Sequence, residues 1–361
     1  MNRSAARKLP TMAPEFADQD TPLIKDCWYI AGLSSEIGRT LTSRRILGID
    51  VALYRKQDGS PVAVRNRCPH RSFPLARGRL DGDNLVCNYH GMTFAPSGRC
   101  VEMPALPIAP VNAAVRSFPV AERGPIVWIW PGHPDRADEA LIPDTSWLSS
   151  PEWRSVGGTF HIKTDYVAMH ENLLDQTHFP FLHPGTVGTP DFVRSTLQTR
   201  EEGGMVIIDR ALLNSPPPGI YATPMGMEGQ PVNRYSEARF ASPAMHVAFA
   251  RLSDIEREGV AQREWRFNIT HLITPETNNS IHYWWFCSRN MRLDDAAMDD
   301  FMSMASRQAY LEDVEALEWI SEIVQRDAEP QFDLSFAPDK PGLMMRRRLR
   351  HLADLEHDFS L

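Results

Sequence analysis

His170-Glu171-Asn172-Leu173-Leu174-Asp175-Gln176-Thr177-His178-Phe179-Pro180-Phe181-Leu182-His183 sets three histidines, two acids and two amides among large apolar side chains. Asn172, Asp175 and His178 follow at i, i+3 and i+6, so on a helix they share one slanted stripe. His170 falls on another face and reads as a packing residue. Pro180 disfavours helix at Phe179 and breaks the ladder beyond it. That places His183 on a turn after the helix, able to bend back toward His178. Two imidazoles so placed, joined by a carboxylate from elsewhere, would make a 2-His-1-carboxylate face that holds Fe(II) with open coordination positions. Two histidines five apart fit a hydrogen-bonded pair in a core equally well, so the rest of the chain decides.

The chain has 361 residues, enough for two domains with substantial cores. Its net charge is −8 and it has no basic stripe, which argues against nucleic acid as a partner. The short run Arg346, Arg347, Arg348, Arg350 reads as a wet face near the C-terminus. Met1 to Asp20 is mostly polar, carries Pro10 and Pro14, and has no apolar signal core. No apolar run approaches the roughly 20 residues of a membrane helix. The expectation is a cytoplasmic protein that meets no membrane, with a loose arm over residues 1–25. The five cysteines, Cys27, Cys68, Cys87, Cys100 and Cys287, are odd in number, which favours metal binding by some of them over a disulfide framework.

From about Asp26 to Gly132, short β-like runs alternate with turn signals. Cys27 to Ala31, Ile46 to Tyr54 and Val62 to Val64 are the clearest, with Asp58-Gly59-Ser60-Pro61 as a turn. They read as antiparallel strands of a small barrel or sandwich. Within them lie Cys68-Pro69-His70 and Cys87-Asn88-Tyr89-His90, separated by sixteen residues. Two thiolates and two imidazoles on two loops can hold a [2Fe–2S] cluster of the Rieske type, in which histidines replace two cysteines on one iron. Pro69 stiffens the first loop and Gly91 permits a tight turn after the second. A structural zinc site is the competing reading, but Cys-x-His fits zinc spacings poorly. Cys27, Cys100 and Cys287 read as buried thiols.

Gly132 to Pro151 is a Pro- and Asp-rich connection. Trp153–Thr164, Met205–Leu213, Glu237–Phe240, Met245–Leu252, Glu264–Ile273 and Ser280–Cys287 have β character, with a turn at Thr274–Asn279. They suggest one antiparallel sheet covered by helices on one face. A long helix from about Asp294 to Arg326 offers Glu312, Asp313 and Glu315 as the missing carboxylate. Helical neighbours of Asp313 are Ala309, Tyr310, Ala316 and Leu317, an apolar face, whereas Glu312 and Glu315 have wetter surroundings. An acid on an apolar stripe is costly unless paired or metal-bound, so Asp313 is favoured, with a buried salt bridge as the alternative. The sheet should line a pocket. His271 and His282 are candidates to hydrogen-bond a substrate, Trp285 to contact an aromatic ring, and Arg251 to pair a carboxylate.

Both cluster motifs, together with Glu171 to Gly185, resemble the Rieske non-haem iron aromatic-ring oxygenases, and the match covers most of the chain. Within them the chain is most similar to the single-subunit monooxygenases of the vanillate O-demethylase, dicamba O-demethylase and methylxanthine N-demethylase type. The resemblance implies an α+β fold. A Rieske β domain (26–135) would precede a catalytic domain (136–361) whose antiparallel sheet is covered by helices, in a helix-grip or START-like arrangement. It implies Cys68, His70, Cys87 and His90 as cluster ligands, and His178, His183 and Asp313 as ligands of a mononuclear Fe(II). Asp175 would bridge His178 to the neighbouring subunit's His70 or His90 in a head-to-tail homotrimer, and Asn172 would hydrogen-bond near the iron.

The implied reaction uses O2 and electrons from NAD(P)H. Those electrons pass through a separate reductase, with or without a ferredoxin, since no G-x-G-x-x-G is present here. The implied chemistry is O- or N-dealkylation of a small aromatic with loss of formaldehyde. Ring hydroxylation or cis-dihydroxylation is the alternative within the family. A Rieske electron carrier without oxygenase activity and a zinc-stabilised scaffold are the alternatives outside it. Iron content separates oxygenase from carrier, at about three irons per chain against about two.

Overall fold

The computed structural model describes residues 15–110, 112–195, 197–255, 262–327 and 334–358. Residues 1–14 of the expected arm lie outside the described residues. The chain divides into two compact units, one of Lys25–Ser149 with Thr274–Thr277, the other of the remainder. The Pro-rich connection thus belongs to the first unit, up to Ser149.

The first unit is built from β1 (Tyr29–Leu33), β2 (Thr42–Ile46), β3 (Ile49–Arg55), β4 (Pro61–Arg65), β5 (Arg79–Asp81), β6 (Asn84–Val86), β7 (Thr93–Phe94), β8 (Cys100–Glu102), β9 (Ser117–Phe118), β10 (Val120–Arg123) and β11 (Ile126–Ile129). They form three small sheets, β1-β11-β10, β2-β3-β4-β9 and β5-β6-β7-β8, with antiparallel pairing throughout. The run Ile46–Tyr54 is not one strand. Leu47 and Gly48 both take positive φ, 49° and 75°, and turn β2 into β3. A two-residue hairpin with both φ positive matches the right-handed twist of its strands. Tyr54, Val62, Val64, Leu75, Leu85 and Phe94 form a buried cluster that includes Cys68 and Cys87.

The second unit carries a seven-stranded sheet of β12 (Arg154–Ile162), β13 (Leu197–Glu202), β14 (Met205–Ser215), β15 (Val232–Ser242), β16 (Met245–Ser253), β17 (Glu264–Thr277) and β18 (Ser280–Arg289), in the order β12-β18-β17-β16-β15-β14-β13. Strand β13, Leu-Gln-Thr-Arg-Glu-Glu, has no apolar alternation. It is an edge strand, where polar residues need bury nothing and guard against edge-to-edge pairing. Helices α1 (Tyr166–Leu174), α2 (Phe179–Leu182), α3 (Gly219–Met225), α4 (Ala296–Arg326) and α5 (Lys340–Asp358) complete the unit. Among the described residues no helix is long and apolar enough to cross a membrane.

Helix α4 is the rigid beam of this unit. Asp295 caps it by accepting from the Met298 N–H at 3.0 Å. Its buried positions Met298, Met302, Ser306, Ala309, Asp313, Leu317 and Ser321 recur every three or four residues, one face of a helix. Met298 and Met302 pack with Phe267, Trp265 and Leu252 of the sheet, each fully buried side chain of this size contributing roughly 1.5–3 kcal/mol. One end is clamped to strands and the other to the chain just after β12. Arg289 and Arg154 each donate to Asp299 at 2.7 Å. At the other end Ser321 donates to Thr164 at 2.8 Å and the Lys163 N–H to Glu318 at 2.9 Å. Asp313 therefore sits at a fixed height above the sheet.

Helix α5 corrects the reading of the C-terminal arginines as a wet face at Arg346 alone, since Arg347 is exposed. Arg346 is buried and its Nε donates to Glu171 of α1 at 2.7 Å. Its Nη1 donates to the Ala17 carbonyl at 2.9 Å, and the Ala17 N–H donates back to the Arg346 carbonyl at 3.0 Å. Residues 15–24 are thus packed chain rather than a loose arm, because Ala17 and Ile24 are buried.

Candidate functional site

The two cysteine loops of the first unit close in the same way. The Cys68 N–H donates to the Phe73 carbonyl and the Ser72 N–H to the Cys68 carbonyl, both at 2.9 Å. The Cys87 N–H donates to Met92 at 2.8 Å and the Gly91 N–H to Cys87 at 2.9 Å, the same spacing nineteen residues on. The fourth residue after each cysteine has positive φ, 57° at Ser72 and 76° at Gly91. A Cβ on Gly91 would also lie 2.8 Å from Pro104. The loops bring the four side chains together. Both thiols are buried, both imidazoles are exposed, and the His70 and His90 rings lie 4.4 Å apart. Neither imidazole hydrogen-bonds another described residue. Burial raises the Cys68 thiol, with Cys87 close by. Two thiols against a core and two free imidazoles facing outward fit a Rieske cluster in the chemistry of the donor set.

In the second unit the 170–183 stretch is two helices, not one helix and a turn. Helix α1, capped by Asp165 accepting from Ala168 N–H at 2.9 Å, stops at Leu174. Asp175 leaves it in extended conformation. Pro180 does not end a helix but lies in the first turn of α2, where its missing N–H has no partner to lose. His178 and His183 flank α2 on either side. The single stripe of Asn172, Asp175 and His178 therefore does not form, yet the chain still brings the three residues to one place. His170 packs, with Nε2 3.1 Å from the Pro243 carbonyl.

His178, His183 and Asp313 converge, with one donor atom from each lying within 4.8 Å of the others. Nε2 of His183 is 3.0 Å and Nε2 of His178 3.4 Å from Asp313 Oδ1. Nε2 of His178 is buried without a hydrogen-bond partner, an orphan that a metal ion would satisfy. Two nitrogens and one carboxylate fit a mononuclear non-haem Fe(II). Burial opposes the charge on Asp313, but the two imidazoles outweigh it and hold its carboxyl well below the usual range. Burial likewise disfavours imidazolium at His178, and Asp175 and Asp313 override it to raise His178 to about 9.

The surroundings fix these ligands. Asn172 donates to Asp313 Oδ1 at 3.1 Å. His183 Nδ1 donates to Glu312 at 2.7 Å, and Glu312 is itself held by Thr186 at 3.2 Å and Gln308 at 3.1 Å. Glu312 was weighed from sequence as a ligand; its place is behind the ligand. Asp175 accepts from Thr177 N–H and Oγ1 at 2.7 and 2.6 Å, and its Oδ2 is 3.8 Å from His178 Nδ1.

His183 and Asp313 line a cavity of about 130 Å³ between the sheet and the helices, near the roughly 150 Å³ that admits a benzene ring in other proteins. Leu212, Ala238, Ala248, Leu252 and Ile269 give it apolar walls. His178 and Asp175 instead line an open groove on the other side, and Asn172 lines both. Of the residues expected in the pocket, only His271 lines it, buried, with Nδ1 2.6 Å from the Tyr283 hydroxyl.

The other three lie outside the cavity. His282 points to the opposite face from Tyr283 and Cys287, as strand alternation requires, and its ring pairs with His161. Trp285 is on the inner face but covered by Tyr310, ring centroids 5.0 Å apart. Arg251 is exposed, paired with Glu264 at 3.3 Å over the Tyr235 ring. Its neighbours Ala250 and Leu252 face the cavity, so it faces away. Sequence reading passed over His246, Arg210 and Arg234, which do line it. The signal was present in Val206, Ile208, Arg210 and Leu212, a period-2 apolar row with one cation in it.

Comparison with known proteins finds relatives along most of the chain. Residues 27–119 match the Rieske [2Fe-2S] domain, and residues 162–355 match the vanillate O-demethylase oxygenase C-terminal domain. The chain is 37% identical to the toluene-4-sulfonate monooxygenase iron-sulfur subunit of Comamonas testosteroni, over 88% of this chain and 91% of the relative. It is 32% identical to the dicamba O-demethylase oxygenase component of Stenotrophomonas maltophilia, over 92% and 98%. The crystal structure of dicamba monooxygenase bound to 3,6-dichlorosalicylic acid superposes with a TM-score of 0.87 at 31% identity, covering 93% of this chain and 99% of that one.

Proposed function

The chain belongs to the Rieske non-haem iron oxygenases with a vanillate O-demethylase-type C-terminal domain, and from that membership we propose that it oxidatively removes an O- or N-alkyl group, most simply methyl, from a small aromatic. It is the oxygenase component of such a system, an enzyme with a [2Fe–2S] cluster and a mononuclear iron. Its electrons come from NAD(P)H through a separate reductase. The observation that carries the dealkylation reading is the meeting of two features, His183 and Asp313 opening into a ring-sized apolar cavity.

Cys68, His70, Cys87 and His90 would hold the cluster, and His178, His183 and Asp313 the iron. When bound, the cluster supplies electrons and the iron activates O2. The chain's own side chains do the rest. Glu312 keeps the His183 ring oriented with Nε2 toward the iron position, as carboxylates behind ligand histidines do. Asn172 restrains the Asp313 carboxylate through Oδ1. The apolar walls keep water from the reacting carbon and hold the alkyl group toward the ligand end.

Asp175, reachable from the groove, is proposed to bridge His178 to the partner subunit's His70 or His90 in a head-to-tail trimer. Its partial exposure and its place beside His178 support that role. The proposal includes a cytoplasmic location, where NAD(P)H is available.

The test is turnover of iron-loaded protein with a surrogate reductase and a panel of methoxy- and N-methyl-aromatics. Formaldehyde in step with O2 uptake is the expected product. A ring diol or phenol without formaldehyde would replace dealkylation by ring hydroxylation.

A further inference from the structure

Helix α2 has a ligand histidine at each end and little of its own to hold it. It spans four residues, and none of their side chains is buried. A single turn of helix does not sustain itself. His183 has a restraint, since its Nδ1 donates to Glu312 at 2.7 Å. His178 lacks an equivalent one: Asp175 Oδ2 stands 3.8 Å from its Nδ1, beyond hydrogen-bond range. The place of His178 is therefore set by the chain on either side of α2.

Both flanks run to one side chain. Arg210, on β14, is 6% exposed. Its Nε donates to Gln176 Oε1 at 3.1 Å, two residues before His178. Its Nη1 donates to the Phe192 carbonyl at 2.8 Å and to Ser195 Oγ, both beyond His183. The guanidinium lies over the Phe192 ring, 4.6 Å from its centroid, and that ring meets Phe179 of α2 at 5.2 Å. Among the described residues, every hydrogen bond of the Arg210 side chain goes to the segment 176–195, and none goes to a carboxylate. Arg234 on β15, its diagonal neighbour across the sheet, adds a second tie. It donates to Thr189 Oγ1 at 2.9 Å and to Asp191 at 3.1 Å.

A guanidinium taken out of water without a counter-charge is costly. Burial pulls Arg210 down to about 10, so it stays charged at neutral pH. Its row on β14 is otherwise apolar, with Val206, Ile208 and Leu212, and a hydrophobe would fill the space more cheaply. What arginine offers here is reach and a planar fork whose Nε and Nη1 address two partners at a fixed spacing. One side chain thereby spans both flanks.

We propose that Arg210 is a positioning residue for the iron site, pinning the chain before His178 and the chain after His183 to the sheet so that both imidazoles face Asp313. The inference rests on the reading of His178, His183 and Asp313 as metal ligands. It adds that the placement of His178 depends on a residue of β14 that hydrogen-bonds to none of the three. The rival account is that Arg210 only stabilises the fold. That account predicts a lower melting temperature and an unaltered metal site.

The experiment uses the full-length, cluster-loaded protein stripped of mononuclear iron and titrated under argon with Co(II) against a chelator of known affinity. The EPR signal of high-spin Co(II) reports the ligand geometry, because the oxidised cluster is silent. Arg210→Gln should weaken Co(II) binding about ten-fold, the lower end of the effect of residues that orient metal ligands. It should also change the EPR line shape while the cluster absorbance stays as it is. Gln176→Ala, which cuts only the flank before His178, should move both readouts the same way by less. Arg210→Lys should lose less affinity than Arg210→Gln, since one ammonium can serve one flank. Should Arg210→Gln not fold, Gln176→Ala and Arg210→Lys carry the comparison. Folded variants that melt lower yet keep the Co(II) affinity and line shape of the unaltered protein would overturn the proposal. Asp313→Asn separates the two readings. If it alone weakens Co(II), the clamp is refuted and the ligand set stands; if it too binds Co(II) as before, the ligand assignment itself has failed.

Discussion

Replacing Glu312 by Gln should loosen the iron without touching the ligands themselves. His183 is 1% exposed, and its Nδ1–H is held by Glu312 at 2.7 Å, a short charge-assisted bond. That bond fixes the ring so that Nε2 faces Asp313. Glutamine keeps the size and an acceptor oxygen but removes the charge and permits a flipped amide. Loss of a carboxylate behind a ligand histidine costs about 10–100-fold in metal affinity, or about 1.4–2.7 kcal/mol. Asp175 stands behind His178 at 3.8 Å, beyond hydrogen-bond range. Asp175→Asn should therefore weaken iron less than Glu312→Gln does. The assay is competition for Fe(II) or Co(II) against a chelator of known affinity, with cluster absorbance as the internal control of folding. If Glu312→Gln takes up iron as tightly as the unaltered protein, or if Asp175→Asn proves the weaker binder, the geometric argument for how these histidines are held is wrong.

Asp313→Asn should leave the visible spectrum of the cluster unchanged and reduce metal analysis from about three irons per chain to about two; retention of the third iron would remove Asp313 from the ligand set. Asp175→Asn should keep both metal centres yet lose most turnover, and full activity would discard the inter-subunit bridge. His170, fully buried, is held down to about 4 from 6.5, chiefly by burial. Because its folded value lies below its unfolded one, the stability it confers is present above about pH 6.5 and is lost as pH falls toward 4, roughly 3 kcal/mol in all. Denaturant midpoints across that range should fall less steeply for His170→Gln than for the unaltered protein, and parallel slopes would refute the assignment.

Much of the architecture could be read before any coordinates. The cysteine–histidine pairs announced themselves by spacing, and Asp313 by being the one acid on the buried stripe of α4. Most strands of the second unit came out close to their observed ends, but β15 begins at Val232 rather than Glu237, and β17 runs on to Thr277 through the expected turn. The failures have physical causes. Proline in a sequence signals either a stop or a first turn, and only the path of the chain after Leu174 decides between them for Pro180. Leu47 gives no hint of positive φ, because leucine rarely adopts it; the hairpin forces it. Strand β13 buries too little to show a pattern. Arg251 was offered and Arg210 passed over because strand boundaries alone do not say which parity of residues faces inward. That is settled by pairing across several strands.

The triad also acts as a partition. Asp313 and His183 face the cavity, whereas His178 faces the groove, so the place for the ion borders two separate spaces. Traffic in metal and traffic in organic molecules need not share a route. A chelator arriving by the groove would meet His178 first and would strip the protein whether or not the cavity were filled. A molecule lodged in the cavity would block its own kind and leave the groove free.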